Sequence, residues 1–248
     1  MRSLLKIFPA FPLLAFPEML PAQTAEELVA KNLQAKGGIE NIKAIRSLRM
    51  TGRIQQGSFA IQVRMDSKAP DRLRREFTIQ GMTQIAAYAG AGATGWQVSP
   101  FGGRRDPETL GEDQMRSMVE DADFHGPLVD YEQKGSTIAY LGHALVDGDD
   151  AYRLKVTLKN GDIYYYYLDP ETFLEIKVET VRFIRGSVRE SLSEIGSYKK
   201  VAGVYFPFSV ASGSKNSSDR SQLTLDTIEA NVQIADSEFQ LPANAKSK

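Results

Sequence analysis

Residues 151–168, AYRLKVTLKNGDIYYYYL, decide the fold class of this chain. Apolar and polar side chains alternate from Tyr152 to Lys159, which is the period of a β-strand with one buried face. Asn160-Gly161 is then a strong hairpin signal, and Asp162 starts a return strand through the tyrosines of Tyr164–Tyr167. The segment therefore predicts two neighbouring antiparallel strands.

The same alternation recurs along most of the chain. Segments with this period lie at 48–54, 59–66, 72–79, 96–98, 174–179, 188–198, 204–210 and 223–232. Tight turns separate them, so we expect about eleven short strands in one antiparallel sheet.

The N-terminal region has helical periodicity instead. Thr24 and Glu27 have the spacing of a capping box, and Gly37-Gly38 supplies a stop, which together predict a helix between them. A short second helical turn is expected over residues 39–44.

A further helix is predicted in the middle of the chain, where strand alternation is lost between residues 100 and 135. Met115, Met118, Val119 and Ala122 fall at i, i+3, i+4 and i+7 after an acidic start. This helix is either a lid over a cavity or a plain core helix.

One face of the predicted sheet is apolar almost throughout and would exceed the apolar area that soluble monomers usually expose. The predicted helices are the available cover. We therefore expect a mainly β (α+β) fold, in which a curled antiparallel sheet forms a half-open barrel covered by a few helices.

The composition excludes several classes of chemistry. The chain has 248 residues, no cysteine, 2 histidines and a formal net charge of −1. Disulfides, thiol catalysis, cysteine-based metal sites and a lipid-acceptor cysteine are therefore excluded, and neither a metal nor another cofactor is expected. The near-neutral charge gives no basis for nucleic-acid binding.

The first residues are typical of an export signal. Arg2 and Lys6 precede the apolar stretch 7–16, and Ala22 offers a small residue for cleavage. A membrane anchor is the alternative, but the prolines break the helix and the apolar run is far shorter than the ~20 residues of a span. We expect a signal peptide at 1–22 and a single domain at 23–248, monomeric and without a transmembrane span.

Motifs that could indicate an enzyme have simpler interpretations. Residues 90–95, GAGATG, match a dinucleotide-binding pattern but precede a strand rather than a helix, so we expect a hairpin loop. His125 and His143 are the best general bases, yet neither has a nucleophile nearby in the sequence. No catalytic residue is predicted.

The candidate cavity residues are apolar or aromatic and come from the inward positions of strands or from the central helix. Tyr165 and Tyr167 are the tyrosines assigned to the inward face, where the alternative is ordinary half-buried packing. The full set is Phe59, Ile61, Val63, Phe77, Trp96, Phe101, Met115, Met118, Val119, Leu154, Val156, Tyr165 and Tyr167.

Several short segments carry a family resemblance. They are Ala25–Ala30 with Gly37-Gly38, residues 48–52, Gly95-Trp96 with 100–102, residues 167–172, residues 198–201 and residues 203–207. In these the chain resembles exported bacterial outer-membrane lipoprotein-sorting proteins of the broad LolA/LolB-like group. The resemblance implies a half-open antiparallel barrel, a helical lid and an apolar cavity for acyl chains. Without cysteine, the chain lacks the anchor of a LolB-like receptor.

These observations predict a periplasmic, non-catalytic carrier that is not lipid-anchored. It would bind lipid or lipoprotein acyl chains in an apolar cavity, for outer-membrane lipoprotein sorting or lipid transport. The alternative is a periplasmic sensor or assembly module that binds an envelope protein partner through the same sheet.

Overall fold

The computed structural model describes residues 23–103, 105–184 and 186–242, so the signal peptide predicted at 1–22 lies outside the described residues. The helices are α1 (Ala25–Ala35), α2 (Ile39–Ala44) and α3 (Glu112–Ala122). The strands are β1 (Ser47–Gln56), β2 (Phe59–Lys68), β3 (Arg72–Ile79), β4 (Met82–Tyr88), β5 (Trp96–Val98), β6 (Glu108–Thr109), β7 (Thr137–Val146), β8 (Asp149–Thr157), β9 (Ile163–Leu168), β10 (Glu175–Ile184), β11 (Ser187–Val201), β12 (Val204–Ser214) and β13 (Ser221–Ala230).

The described strands form one 13-stranded antiparallel sheet in the order β6-β5-β4-β3-β2-β1-β13-β12-β11-β10-β9-β8-β7. The predicted fold class is confirmed, although the alternation did not identify β4, the two-residue β6 or β7. The edge strands β6 and β7 do not pair with each other, so the sheet is open. We call β1–β6 the N-terminal wing and β7–β13 the C-terminal wing.

The chain passes from one outer edge of the sheet to the other between β6 and β7, and α3 lies in this connection. All the described α-helices pack on the same side of the sheet, which we call the inner face. The opposite side is the outer face.

Helix α1 covers the inner face of the C-terminal wing. Thr24 and Glu27 form the predicted capping box, with Thr24 Oγ1 accepting from the Glu27 amide at 3.1 Å. The fully buried Leu28 packs in one cluster with Leu154 and Leu168. Removing apolar surface from water stabilises by about 25 cal/mol per Å², so this buried contact is the main attachment of α1 to the sheet.

Helix α2 covers the centre of the sheet, where the two wings meet. Ile42 packs in a cluster with Leu48 of β1 and with Phe208 and Ile228 of β12 and β13. Gly37 allows the close approach that sets α2 in place: it has φ +125°, and a Cβ there would lie 2.2 Å from the carbonyl oxygen of Gly203.

The outer face of the N-terminal wing is covered by residues 231–242, which follow β13. Phe239 is fully buried, and its carbonyl oxygen accepts a hydrogen bond from Trp96 Nε1 at 3.0 Å. Asp236 pairs with Lys68 at 2.6 Å and also with Arg72.

Among the helices in the described part of the chain, none combines the length and apolarity required to cross a membrane.

Candidate functional site

Helix α3 contacts the N-terminal wing through apolar packing and through an ion pair. Met118 and Ala122 are buried in a cluster with Leu73 of β3 and Tyr88 of β4. Asp121 also pairs with Arg75 of β3 at 2.7 Å. The predicted helix is therefore present, and its apolar stripe faces one wing.

The other side of α3 contacts the C-terminal wing through charged groups. Arg116 binds both carboxylate oxygens of the fully buried Asp162, with Nε at 3.0 Å and Nη2 at 2.5 Å. Glu120 pairs with Arg182 of β10 at 2.8 Å and accepts from the Tyr164 hydroxyl at 3.0 Å. Helix α3 therefore bridges the two wings across the inner face.

This bridge requires the sheet to curl. The neighbouring residues Glu120 and Asp121 reach β10 and β3, which are six positions apart in the strand order. At about 4.8 Å per strand, a flat sheet would separate β10 and β3 by roughly 29 Å. Two arginine side chains cannot span that distance, so the inner face forms a trough with α3 across it.

A groove of about 690 Å³ lies on the inner face of the C-terminal wing, between α3 and the end of α1. Its apolar part comes from Val178, Ile195 and Val210. Hydroxyl groups form the rest of the floor, and Tyr164, Tyr166 and Tyr198 contribute aromatic walls. The hydroxyl side chains of the floor are Thr180, Ser191, Ser193, Ser212 and Ser221.

At the α3 end of the groove, several ionisable side chains interact with one another. Burial raises the pKa of Glu120, and a hydrogen bond with Asp162 adds to this, while Arg182 acts in the opposite direction. Burial also raises the pKa of Tyr164. The Tyr164 hydroxyl stays protonated at neutral pH and donates to Glu120. Glu120 forms the ion pair with Arg182, and the nearby carboxylate of Asp121 adds to the negative charge that acts on Arg182.

The opposite end of the groove contains a second buried ion pair. Glu175 accepts from Lys36 Nζ at 3.0 Å and from the Tyr198 hydroxyl at 3.0 Å. Burial raises the pKa of Glu175, but Lys36 and Tyr198 outweigh it and hold the pKa below its usual range. Glu175 is therefore ionised, and α1 is tied to the groove by charge as well as by packing.

The predicted facing of two tyrosines is reversed. Leu154 is paired with Tyr166 and Val156 with Tyr164, so these four side chains share the inner face. Tyr165 and Tyr167 lie on the outer face, where both rings contact the Arg153 guanidinium at 4.5 and 5.5 Å. The assignment of Tyr165 and Tyr167 to the cavity is therefore wrong, and a cation–π contact replaces it.

Other predicted residues lie away from the groove. Trp96 is on the outer face beneath Phe239, so its assignment to the cavity is also wrong. Phe101 is exposed in the turn 100–102. Leu154 and Val156 have the predicted facing, but both are fully buried under α1.

The remaining predicted residues divide between α3 and the N-terminal wing. Met118 and Met115 contribute to the attachment of α3, and Val119 is exposed on the same helix. Val63 is buried, whereas Phe77, its partner on β3, and Ile61 are half-buried. Phe59 is 61% exposed at the hairpin tip. A ligand-binding role for these residues stays a prediction.

The hydroxyl-bearing floor of the groove did not emerge from the sequence. In β11 the apolar Leu192 alternates with Ser191 and Ser193, which suggests that Leu192 faces inward. The register shows the reverse, because Ser193 is paired with Val178 while Leu192 is paired with Glu179. Leu192 is nevertheless buried, on the outer face. The information needed to assign the serines to the inner face was the pairing of β10 with β11, which the sequence does not display.

The two histidines are placed apart from the groove lining. His125 Nε2 lies 3.0 Å from the carbonyl oxygen of Ile45, next to the end of α3. His143 Nδ1 lies 2.5 Å from Asp150 Oδ2 on β7 and β8, with both side chains about half exposed. Within the described ranges, no group of three or more histidine, aspartate or glutamate side chains could hold a metal ion.

Solved structures with similar backbones come from bacterial proteins. A LolA superfamily protein from Nitrosomonas europaea is 15% identical, with a TM-score of 0.58 over 88% of this chain and 98% of that one. A DUF1329 family protein from Desulfovibrio piger is 14% identical, with a TM-score of 0.60 over 87% and 97%. A domain named for outer membrane lipoprotein sorting, from Vibrio parahaemolyticus, is 13% identical, with a TM-score of 0.56 over 87% and 95%.

No protein-family model and no curated protein sequence matches the chain. The likeness to solved structures extends over nearly the whole length of each, at identities that establish the fold alone.

Proposed function

Starting from the LolA-like fold of this chain, we propose that it is a carrier that binds a lipid or another amphiphile non-covalently in the groove beside α3. The observation that carries this proposal is the groove of about 690 Å³ on the inner face of the C-terminal wing, between α3 and the end of α1. This volume is within the range of small-molecule sites, roughly 300–1,000 Å³.

The lining suits a molecule with both apolar and polar parts. Val178, Ile195 and Val210 offer an aliphatic strip, and the tyrosine rings extend it. The neighbouring hydroxyl groups can donate and accept hydrogen bonds without carrying charge. An acyl chain with an adjoining ester or hydroxyl group matches this sequence of surfaces, which supports lipid or lipoprotein acyl chains as cargo.

Movement of α3 would enlarge the groove for a bulkier cargo. The contacts of α3 with the C-terminal wing are ion pairs and hydrogen bonds, and water could hydrate these groups when α3 lifts. The exposed Phe59 and half-buried Phe77 of the N-terminal wing are candidates to contact the cargo when α3 lifts.

The cellular location proposed for the carrier is inferred from the sequence. An export signal at 1–22 followed by a single domain at 23–248 would place a monomer in the periplasm without a lipid anchor. The absence of a nucleophile beside either histidine in the sequence supports a non-enzymatic role.

A second candidate function is binding of an envelope protein partner. Strand β7 is an edge of the sheet, and Leu145 is 72% exposed on it. An extended segment of a partner could add to this edge through backbone hydrogen bonds. Recovery of one stoichiometric protein partner with no co-purifying lipid would favour this function over the carrier.

The carrier proposal is tested by filling the groove. Ser193→Phe places a ring on the groove floor, whereas Glu194→Phe places the same ring on the exposed opposite face of β11. We expect lipid extraction and mass spectrometry of the native protein to detect a bound amphiphile. Displacement of a fluorescent fatty acid should weaken by about tenfold or more in Ser193→Phe, since a ring excludes part of the cargo.

The control Glu194→Phe should bind as the unaltered protein does. Equal binding by both variants, or a native protein that carries no amphiphile and displaces no probe, would contradict the proposed function.

A further inference from the structure

Arg182 lines the groove at its α3 end, and Arg189 lies directly opposite Arg182 on the neighbouring strand. Arg182 of β10 is paired in register with Arg189 of β11, so both side chains are on the inner face. Directly opposed residues on one face have Cβ atoms about 5 Å apart, and like charges at that spacing repel. The pair therefore concentrates positive charge at the mouth of the groove.

The charges around this pair do not cancel. Arg182 is paired with Glu120, and Arg116 is paired with Asp162. Arg189 is exposed and has no ion-pair partner among the described residues. One positive charge at the mouth is left without a counter-charge, next to a second guanidinium whose partner comes from the movable α3.

Hydroxyl groups lie on the same face, one step further into the groove. Thr180 is paired with Ser191, and their hydroxyls are hydrogen-bonded to each other. Arg182 forms its hydrogen bonds through Nε and Nη2, so its Nη1 has no acceptor within the described residues. The Arg182 guanidinium and the one hydroxyl of this pair that remains free to donate thus lie at the same end of the floor.

We propose that Arg182 and Arg189, with the hydroxyls of Thr180 and Ser191, bind an oxyanion group of the cargo. This inference rests on the proposed function and specifies its ligand class: an anionic amphiphile whose phosphate, sulfate or carboxylate lies at the α3 end of the groove. Guanidinium groups match such oxyanions through paired N–H donors. A bound oxyanion would neutralise Arg189 and compete with Glu120 for Arg182.

The competition with Glu120 couples the head group to α3. The buried carboxylate of Glu120 pairs with Arg182 and accepts a hydrogen bond from Tyr164. An oxyanion that takes over Arg182 removes the contact that joins Glu120 of α3 to β10. Binding of an anionic head group should therefore loosen the C-terminal-wing side of α3, whereas an uncharged amphiphile should leave it in place.

The test compares two soluble probes with the same acyl chains, dihexanoylphosphatidic acid and dihexanoylglycerol, below their micelle concentrations. Calorimetric titration should give about five- to tenfold tighter binding of the phosphatidic acid, and added salt should reduce this preference. Arg189→Gln removes the exposed, unpaired charge with little risk to folding and should abolish the preference. Arg53→Gln, which removes an exposed arginine of β1, should retain it.

Two results would overturn the inference while leaving the carrier function intact. They are equal binding of both lipids by the unaltered protein, and an unchanged preference in Arg189→Gln.

A third probe, inorganic phosphate, separates the two sources of an oxyanion. Phosphate binding that depends on Arg189 while neither lipid binds would support the oxyanion site, assign it to a free anion and contradict the carrier. Failure of all three probes would refute the site and the carrier together.

Discussion

Helices α1 and α3 both lie on the inner face of the sheet, but they are held there by different forces. Helix α1 buries Leu28 and Val29 in the core of the C-terminal wing. Helix α3 buries only one side, with Met118, and reaches the opposite wing through Arg116 and Glu120. Apolar burial holds α1, whereas much of the attachment of α3 is electrostatic.

In the proposed carrier, this difference separates a permanent cover, α1, from a movable one, α3. Lifting α1 would expose apolar core to water, at a cost comparable with the stability of a whole domain. Lifting the C-terminal-wing side of α3 would instead expose the carboxylates of Asp162 and Glu120, which water can hydrate in place of Arg116 and Arg182. The groove lies beside α3, the cover proposed to move.

The largest expected effect on stability comes from removing a buried side chain that attaches α1 to the sheet. Leu28→Ala removes a side chain with 0% exposure and should lower the free energy of unfolding by about 3 kcal/mol, within the range measured for buried leucines. Chemical denaturation measures this loss. Val119→Ala on α3, where the side chain is 44% exposed, should change stability by less than about 0.5 kcal/mol.

Equal losses in the two variants would contradict this expectation, because Val119 is exposed and lies outside the buried cluster that attaches α3.

A smaller and more local effect is expected at the ion pairs of α3. Arg116→Gln leaves the buried carboxylate of Asp162 without its cation, although the Phe183 amide still donates to it at 3.2 Å. We expect a loss of about 1–2 kcal/mol, because a buried charge is left partly unpaired. Hydrogen exchange followed by mass spectrometry should show faster exchange in α3 and unchanged exchange in α1.

The matched control for this measurement is Arg53→Gln, whose pair with Asp226 is exposed. It should change neither helix. Loss of protection in α1 together with α3 would mean that Arg116 supports the whole inner face rather than one cover.

The sequence was sufficient for elements whose signals are local. The capping box of Thr24 and Glu27, the helical stripe around Met118 and the alternation of the main strands all predicted the elements that the structure contains. These features depend on neighbours within one or two turns of chain, so their physical cause is visible in a short window.

The groove depended on relations between distant segments. Which tyrosines face inward is set by the pairing of β8 with β9, and the serine floor by the pairing of β10 with β11. Strands β9 and β11 both bury apolar side chains on the outer face as well as on the inner face. The outer-face residues are Tyr167 of β9 and Leu192 of β11. Hydrophobicity alone therefore gives no facing, and the bridge of α3 follows only from the strand order.

The central claim, that α3 is the movable cover of the groove, is tested most directly by distances between spin labels. Because the chain has no cysteine, paired cysteine variants carry only the intended labels. One pair, Val119→Cys with Asp226→Cys, measures the distance between α3 and β13 at the centre of the sheet. The control pair, Gln34→Cys with Asp226→Cys, measures the distance between α1 and the same strand.

On addition of dihexanoylphosphatidic acid, the account predicts that the α3 distance lengthens or its distribution broadens while the α1 distance stays unchanged. Bound lipid with both distances unchanged would contradict it.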